Sequence, residues 1–242
     1  MLSKESLEKF TKLYQTDIEN VAREYCQQLF LSFLYQQADA EKLLFKGGTA
    51  LRLLFKSPRF SEDLDFTGIG VRQNTIEEIF TNTLTEIEKT GVKMEINEAK
   101  GTTGGYLGIA IFFIHDLKIK IQIEVSLRKV ERLKGVRTLV HSEYLPAYTI
   151  VYLPIEEIIS GKLQALFTRT KPRDFYDYYF LLSGNFPIVK EKKNLEKVLK
   201  MLQGTHINFK NELKKILPAS HHIILKDFKK LLIQEIKKYS LD

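Results

Sequence analysis

FKGGTALRLLFKSPRFSEDLDF, residues Phe45–Phe66, is the stretch that decides the fold of this chain. Leu43–Phe45 is a short apolar run, and after one lysine come Gly47 and Gly48. Thr49–Phe55 then reads as a short helix opening directly from the glycines, broken by Ser57-Pro58. Two glycines at the mouth of a helix let backbone N–H groups approach a phosphate with no Cβ in the way, and the helix N-terminus adds partial positive charge. Ser61–Phe66 reads as a strand. Asp63 and Asp65 lie two apart on it, so both carboxylates project from one face, with Cα atoms about 6.5 to 7 Å apart. That separation suits two oxygen donors converging on a hard cation such as Mg²⁺, which stays partly hydrated when it serves phosphates. Alone, a Gly-Gly pair is usually a turn and an Asp-x-Asp a solvated strand end; here the order and spacing link them.

Working outward, residues 16–38 carry Ile18, Val21, Ala22, Tyr25, Leu29 and Phe33 at helical spacing, with Thr16 as the expected N-cap. Thr75–Lys89 is a second amphipathic helix. Strands are expected at Val92–Asn97, Gly108–Phe113, Leu117–Ser126 and Tyr148–Leu153, with a hairpin turn at His115-Asp116. In Leu117–Ser126 the odd positions are all apolar and the even ones polar. Glu124 sits on that polar face, where a third carboxylate could join Asp63 and Asp65. Two metals held so would activate an acceptor oxygen and neutralise leaving pyrophosphate. The bland alternative for Glu124 is an exposed strand residue.

After Pro154 the pattern is all-helical, with helices expected at Ile155–Thr168, Arg173–Leu182, Lys190–Gln203, Phe209–Ile216 (N-cap Asn208) and Ile223–Tyr239. The fold class is therefore α/β (α+β), with a domain at 1–153 followed by a helical one at 154–242. In Ile155–Thr168, Lys162 falls on the stripe of Ile155, Ile158, Ile159 and Leu166, where an apolar residue is expected. Lysines are rarely buried without a partner, and a triphosphate would serve; the alternative is a snorkelling side chain. Asp174 and Asp177 open the following helix, where negative charge is stabilising in any case. Asp174 could also fix Arg173 or meet a metal–water network. Tyr176, Tyr178 and Tyr179 read as packing residues, and His221-His222 as surface.

The 242 residues, 44% of them hydrophobic, suffice for a packed core. A single cysteine, Cys26, excludes a disulfide framework and a cysteine-built zinc site. No run approaches the length of a membrane span, and the mixed-charge N-terminus lacks the apolar segment of a signal peptide, so a cytoplasmic protein is expected. The net charge of +7 is not spread evenly. Residues 190–242 hold thirteen lysines against six acidic residues, whereas 1–189 balance at 24 of each. Such a tail attracts polyanions, unless it is simply a set of solvated helix faces.

Taken together, the glycine pair and Asp63-x-Asp65 resemble the metal-binding signature of the polymerase-β-like nucleotidyltransferase superfamily. More closely, GGTALRLLF…RFSEDLDF is similar to the AbiEii/AbiGii toxin family, as is the later Lys162-x-x-Ala165-x-x-x-Arg169 followed by Arg173-Asp174-x-x-Asp177. The resemblance spans about residues 43–182. It implies a mixed sheet followed by a helical half that closes over an NTP. It implies metal binding by Asp63, Asp65 and Glu124, and phosphate contacts near Gly47, Gly48 and Thr49, with Ser61 of the same motif among the nucleotide-binding residues. It places Lys162 and Asp174 at or near the NTP. The third acidic position is often Asp in the wider superfamily and is Glu here, so Glu124 is either a direct ligand or a base one water away.

The function so implied is transfer of NMP from an NTP to an acceptor hydroxyl with Mg²⁺ or Mn²⁺. Family members typically act as the toxin of a toxin–antitoxin or phage-defence pair, and some modify tRNA 3′ ends. RNA is thus the expected acceptor and a cognate antitoxin an expected partner. A protein or small-molecule hydroxyl is the alternative acceptor, and a non-catalytic nucleotide-binding protein of the same fold the alternative class. A metal-dependent nuclease would share the acidic cluster but gives no reason for glycines at a helix start.

Overall fold

A computed structural model describes residues 1–128, 133–204 and 206–239. The chain divides into two compact units. Residues 1–56 and 60–154 form the first; residues 57–59 join 155–242 in the second.

The first unit is built on one seven-stranded mixed sheet. Its strands are β1 (Leu43–Lys46), β2 (Asp63–Ile69), β3 (Lys93–Thr102), β4 (Gly105–Ile114), β5 (Leu117–Arg128), β6 (Val136–Val140) and β7 (Tyr148–Tyr152). They lie in the order β3-β4-β5-β2-β1-β7-β6. β2 pairs in parallel with β5, and β1 with β7; the other neighbours are antiparallel. The alternation of β5 is realised as expected. Ile119, Ile121, Ile123 and Val125 are buried, as are Leu64 and Phe66 of β2. This face is covered by α2 (Ile18–Leu34) and α4 (Gln73–Glu88), whose Phe30, Leu34, Ile76 and Phe80 close the core over Phe66, Ile123 and Val125. Each such apolar side chain contributes about 1.5–3 kcal/mol by leaving water. The opposite face of β2 and β5 carries Asp63, Asp65, Gln122, Glu124 and Ser126.

α2 begins one residue later than its periodicity suggests. Asp17 is the N-cap, its carboxylate accepting from the Asn20 N–H at 2.8 Å, and Thr16 instead accepts from the Asn20 side chain. A charged oxygen at an N-cap outcompetes a neutral hydroxyl for an orphan amide. Before it stands α1 (Lys4–Tyr14), which the periodicity did not announce, and β6 was equally unforeseen. His115 makes the expected β4–β5 turn, with φ of 52°. After β1 comes α3 (Gly47–Phe55).

The second unit comprises α5 (Ile155–Arg169), α6 (Pro172–Ser183), α7 (Lys192–Gly204), α8 (Phe209–Ile216) and α9 (Phe228–Lys238). Asn208 caps α8 as expected, accepting from the N–H groups of Lys210 and Asn211. The expected helix from Ile223 is two elements, a 3-10 segment Ala219–Lys226 and then α9. Tyr176, Phe209 and Phe228 are buried against one another, and Tyr178, also buried, donates its hydroxyl to the Val189 carbonyl at 3.0 Å, so both tyrosines are packing residues.

Candidate active site

Three adjacent strands bring the acidic residues together. Asp65 is the parallel cross-strand partner of Glu124, and Lys46 is the antiparallel partner of Asp65. Lys46, Asp65 and Glu124 therefore form one row across β1, β2 and β5. Asp63 stands two residues along β2, opposite Gln122. Gln122 donates to the Glu124 carboxylate at 2.5 Å.

α3 starts against this row. Gly47 has φ of +87°, the left-handed region that favours glycine, and a Cβ there would overlap the Asp65 carboxylate. The N-cap residue Lys46 makes no side-chain capping bond and the first turn of α3 holds no acidic residue, so the helix N-terminus brings its amides beside the Asp65 carboxylate. Gly48 and Thr49 are buried. The Thr49 hydroxyl donates to the Asp63 carbonyl at 2.5 Å, which ties the start of α3 to the start of β2. That hydroxyl acts as a strut between the two elements. Ser61 is half-buried, and its carbonyl accepts from Gln27 of α2 at 3.0 Å.

Lys46 was not among the residues the motifs singled out, although a lysine closing an apolar strand directly before the glycines was a usable signal. Burial pulls its pKa down, and Arg128 adds to this, while Asp65 and Glu124 pull it back up.

Among the described residues no three His, Cys, Asp or Glu side chains are gathered closely enough to hold a metal ion by themselves. The donor chemistry nevertheless fits Mg²⁺, which takes one or two carboxylates and completes its octahedron with water and substrate phosphate. Asp63 and Asp65 offer that pair, and Gly47, lacking a Cβ, leaves the Asp65 carboxylate room against the start of α3.

The downstream motif lies in the second unit and makes a buried ion-pair cluster there. Asp177, 1% exposed, accepts from Arg59 Nε at 2.8 Å and Nη2 at 3.0 Å, and from Lys162 Nζ at 2.8 Å. Burial alone would raise its pKa, but Arg59 and Lys162 hold it at about 2. Lys162 thus has an anionic partner within the chain, which neither sequence alternative foresaw, and its side chain is 12% exposed. Asp174 is buried in a fork from Arg169, with Nη2 at 2.7 Å and Nε at 2.9 Å, and accepts from the Lys171 N–H at the start of α6. Nothing in the sequence marked Arg59 as the anchor of Asp177, because 118 residues separate them.

The family model of the nucleotidyl transferase AbiEii toxin of type IV toxin–antitoxin systems matches residues 29–239. The chain belongs to this family. It is accordingly a nucleotidyltransferase, and a type IV toxin implies a nucleotide substrate and an antitoxin partner. No curated protein matches it. Several solved structures share the AbiEii chain's fold, and two of them stand for the rest. One is a candidate nucleotidyltransferase from H. pylori, 22% identical over 98% of both chains with a TM-score of 0.55. The other is JHP933 from Helicobacter pylori, 21% identical over 93% of this chain and 96% of that one, with a TM-score of 0.56. The mixed sheet with flanking helices and a helical second unit is the α+β architecture expected from the sequence.

Proposed function

We propose that this AbiEii protein transfers a nucleoside monophosphate from an NTP to a hydroxyl of RNA, foremost the 3′ end of tRNA, with Mg²⁺ or Mn²⁺ as cofactor. The observation that carries the reading is the row of Asp65 and Glu124 on one face of the sheet, with the N-terminus of α3 against Asp65. Asp63 and Asp65 hold the metal, which when bound screens the triphosphate charge and orients it. The backbone of Gly47, Gly48 and Thr49 receives phosphate oxygens. Glu124, exposed beside Asp65, accepts the proton of the acceptor hydroxyl. That oxygen attacks the α-phosphorus in line while the bond to the bridging oxygen breaks, and pyrophosphate leaves with the bonding electrons. The protein contributes mainly position and fixed charge.

RNA as acceptor is supported by the second unit's surface. A groove of about 770 Å³ beside α8 and α9 is lined by Lys210, Lys226, Lys229, Lys230 and Lys237, with Asp227 as its one acidic residue. A row of cations along a groove suits a phosphate backbone.

The test is to incubate the protein with total RNA, cell protein and each NTP labelled at the α-phosphate. Label in a tRNA-sized band that is sensitive to ribonuclease supports the reading. Label confined to protein or to a small molecule would replace RNA by the alternative acceptors, and none with any NTP or metal would leave a non-catalytic nucleotide-binding fold.

A further inference from the structure

Lys46 closes β1 and is half-buried beside the acidic row. An ammonium has three N–H donors and no acceptor. Among the described residues its one hydrogen bond is a long one, 3.4 Å, to the neutral Ser126 hydroxyl on β5. Because β2 lies between β1 and β5, reaching Ser126 carries the side chain across β2, over the face that bears Asp65. Asp65 and Glu124 act on this cation electrostatically but accept no hydrogen bond from it, so it keeps donors for a further anion, and the same carboxylate row repels any anion that arrives without its own cation. A metal-bound triphosphate meets both conditions: its metal answers the carboxylates, and its terminal oxygens answer the ammonium.

We propose that Lys46 is a catalytic residue of the transferase, contacting the β- and γ-phosphate oxygens of the NTP and neutralising the charge that gathers on pyrophosphate as it leaves. This rests on the nucleotidyltransferase site described above and adds a residue to it. Lysine serves here as a point charge on a flexible stem, able to leave Ser126 and follow the phosphates.

The experiment is calorimetric titration of the full chain with inorganic tripolyphosphate and with each NTP, in EDTA and in Mg²⁺. Wild type, Lys46→Met, Lys46→Arg and Asp65→Asn are compared, with the melting temperature of each apo protein. Lys46→Met keeps the stem, so its apo melting temperature should stay within a few degrees of wild type. Its affinity for tripolyphosphate and NTP should fall roughly 10- to 100-fold, the size expected when a charge-assisted hydrogen bond is removed. Lys46→Arg should recover most of it. Asp65→Asn should bind tripolyphosphate more tightly than wild type in EDTA, since a repelling charge is gone, and more weakly in Mg²⁺. Wild-type affinity in Lys46→Met overturns the proposal and leaves the parent reading standing. Loss of affinity only in step with a lowered melting temperature also overturns it. A wild-type protein that binds neither tripolyphosphate nor any NTP brings down the parent reading and this one with it.

Discussion

Gly47 is the residue on which most of the site geometry turns. Its backbone is left-handed and its Cα rests against the Asp65 carboxylate. Gly47→Ala should therefore be strained twice, by φ and by overlap, at a cost of about 1–3 kcal/mol. Displacing Asp65 should also slow transfer by at least about tenfold, as for loss of other preorganised charge. A variant with unchanged urea midpoint and unchanged turnover would show that the close approach is dispensable. This residue was readable from sequence because a glycine before a helix has a local physical reason. The partnership of Asp65 with Glu124 was half-readable: alternation fixed the face of each, but only strand order brings β5 beside β2. Lys46 is poorly legible in the sequence because single lysines at strand ends are common, and only the sheet sets it beside Asp65 and Glu124.

Among the elements, α5 and α6 are joined through Asp177. Its folded pKa, about 2, lies below the value of about 3.9 in an unfolded chain. A depressed carboxylate stabilises the fold above the unfolded value, and that contribution is lost as pH falls from about 4 towards 2. Asp177→Asn should be destabilised at pH 7 by about 3–5 kcal/mol, because Arg59 and Lys162 stay buried without their anion. The gap between wild type and variant should shrink in urea titrations between about pH 4 and 2; a constant gap would mean that the ion pair is not what Asp177 contributes. Lys162→Met is a gentler change, since Arg59 keeps its two-bond hold on Asp177. If Lys162 also meets the triphosphate, the melting-temperature rise with Mg²⁺-NTP should fall sharply while the apo value moves little. A full NTP-induced shift with full turnover would confine Lys162 to the Asp177 cluster. Helix positions were legible from periodicity and caps, as α8 with Asn208 illustrates. The Arg59–Asp177 pair was not, because nothing local encodes an interaction across 118 residues.

For the whole molecule, composition located the excess charge in the last fifth of the chain, and the lysine groove beside α9 is where part of it gathers. RNA binding should weaken steeply with salt, and reversing Lys229, Lys230 and Lys237 together should flatten the log–log slope by roughly one unit for each phosphate no longer neutralised. Binding insensitive to both would reduce these lysines to a solvated surface. Among the described residues no helix is long and apolar enough to cross a membrane. The family was legible because its motifs are local, whereas the acceptor depends on surfaces that no short motif encodes. In the function proposed above, Asp63 and Asp65 hold the metal for nucleotide transfer. The most direct measurement is transfer of α-labelled NTP to RNA by wild type, Asp63→Ala and Asp65→Ala, with circular dichroism of each. The expected result is a loss of at least ~10²-fold for either variant with an unchanged spectrum, as for removal of other preorganised charge-stabilising groups. Wild-type turnover by either correctly folded variant would contradict it.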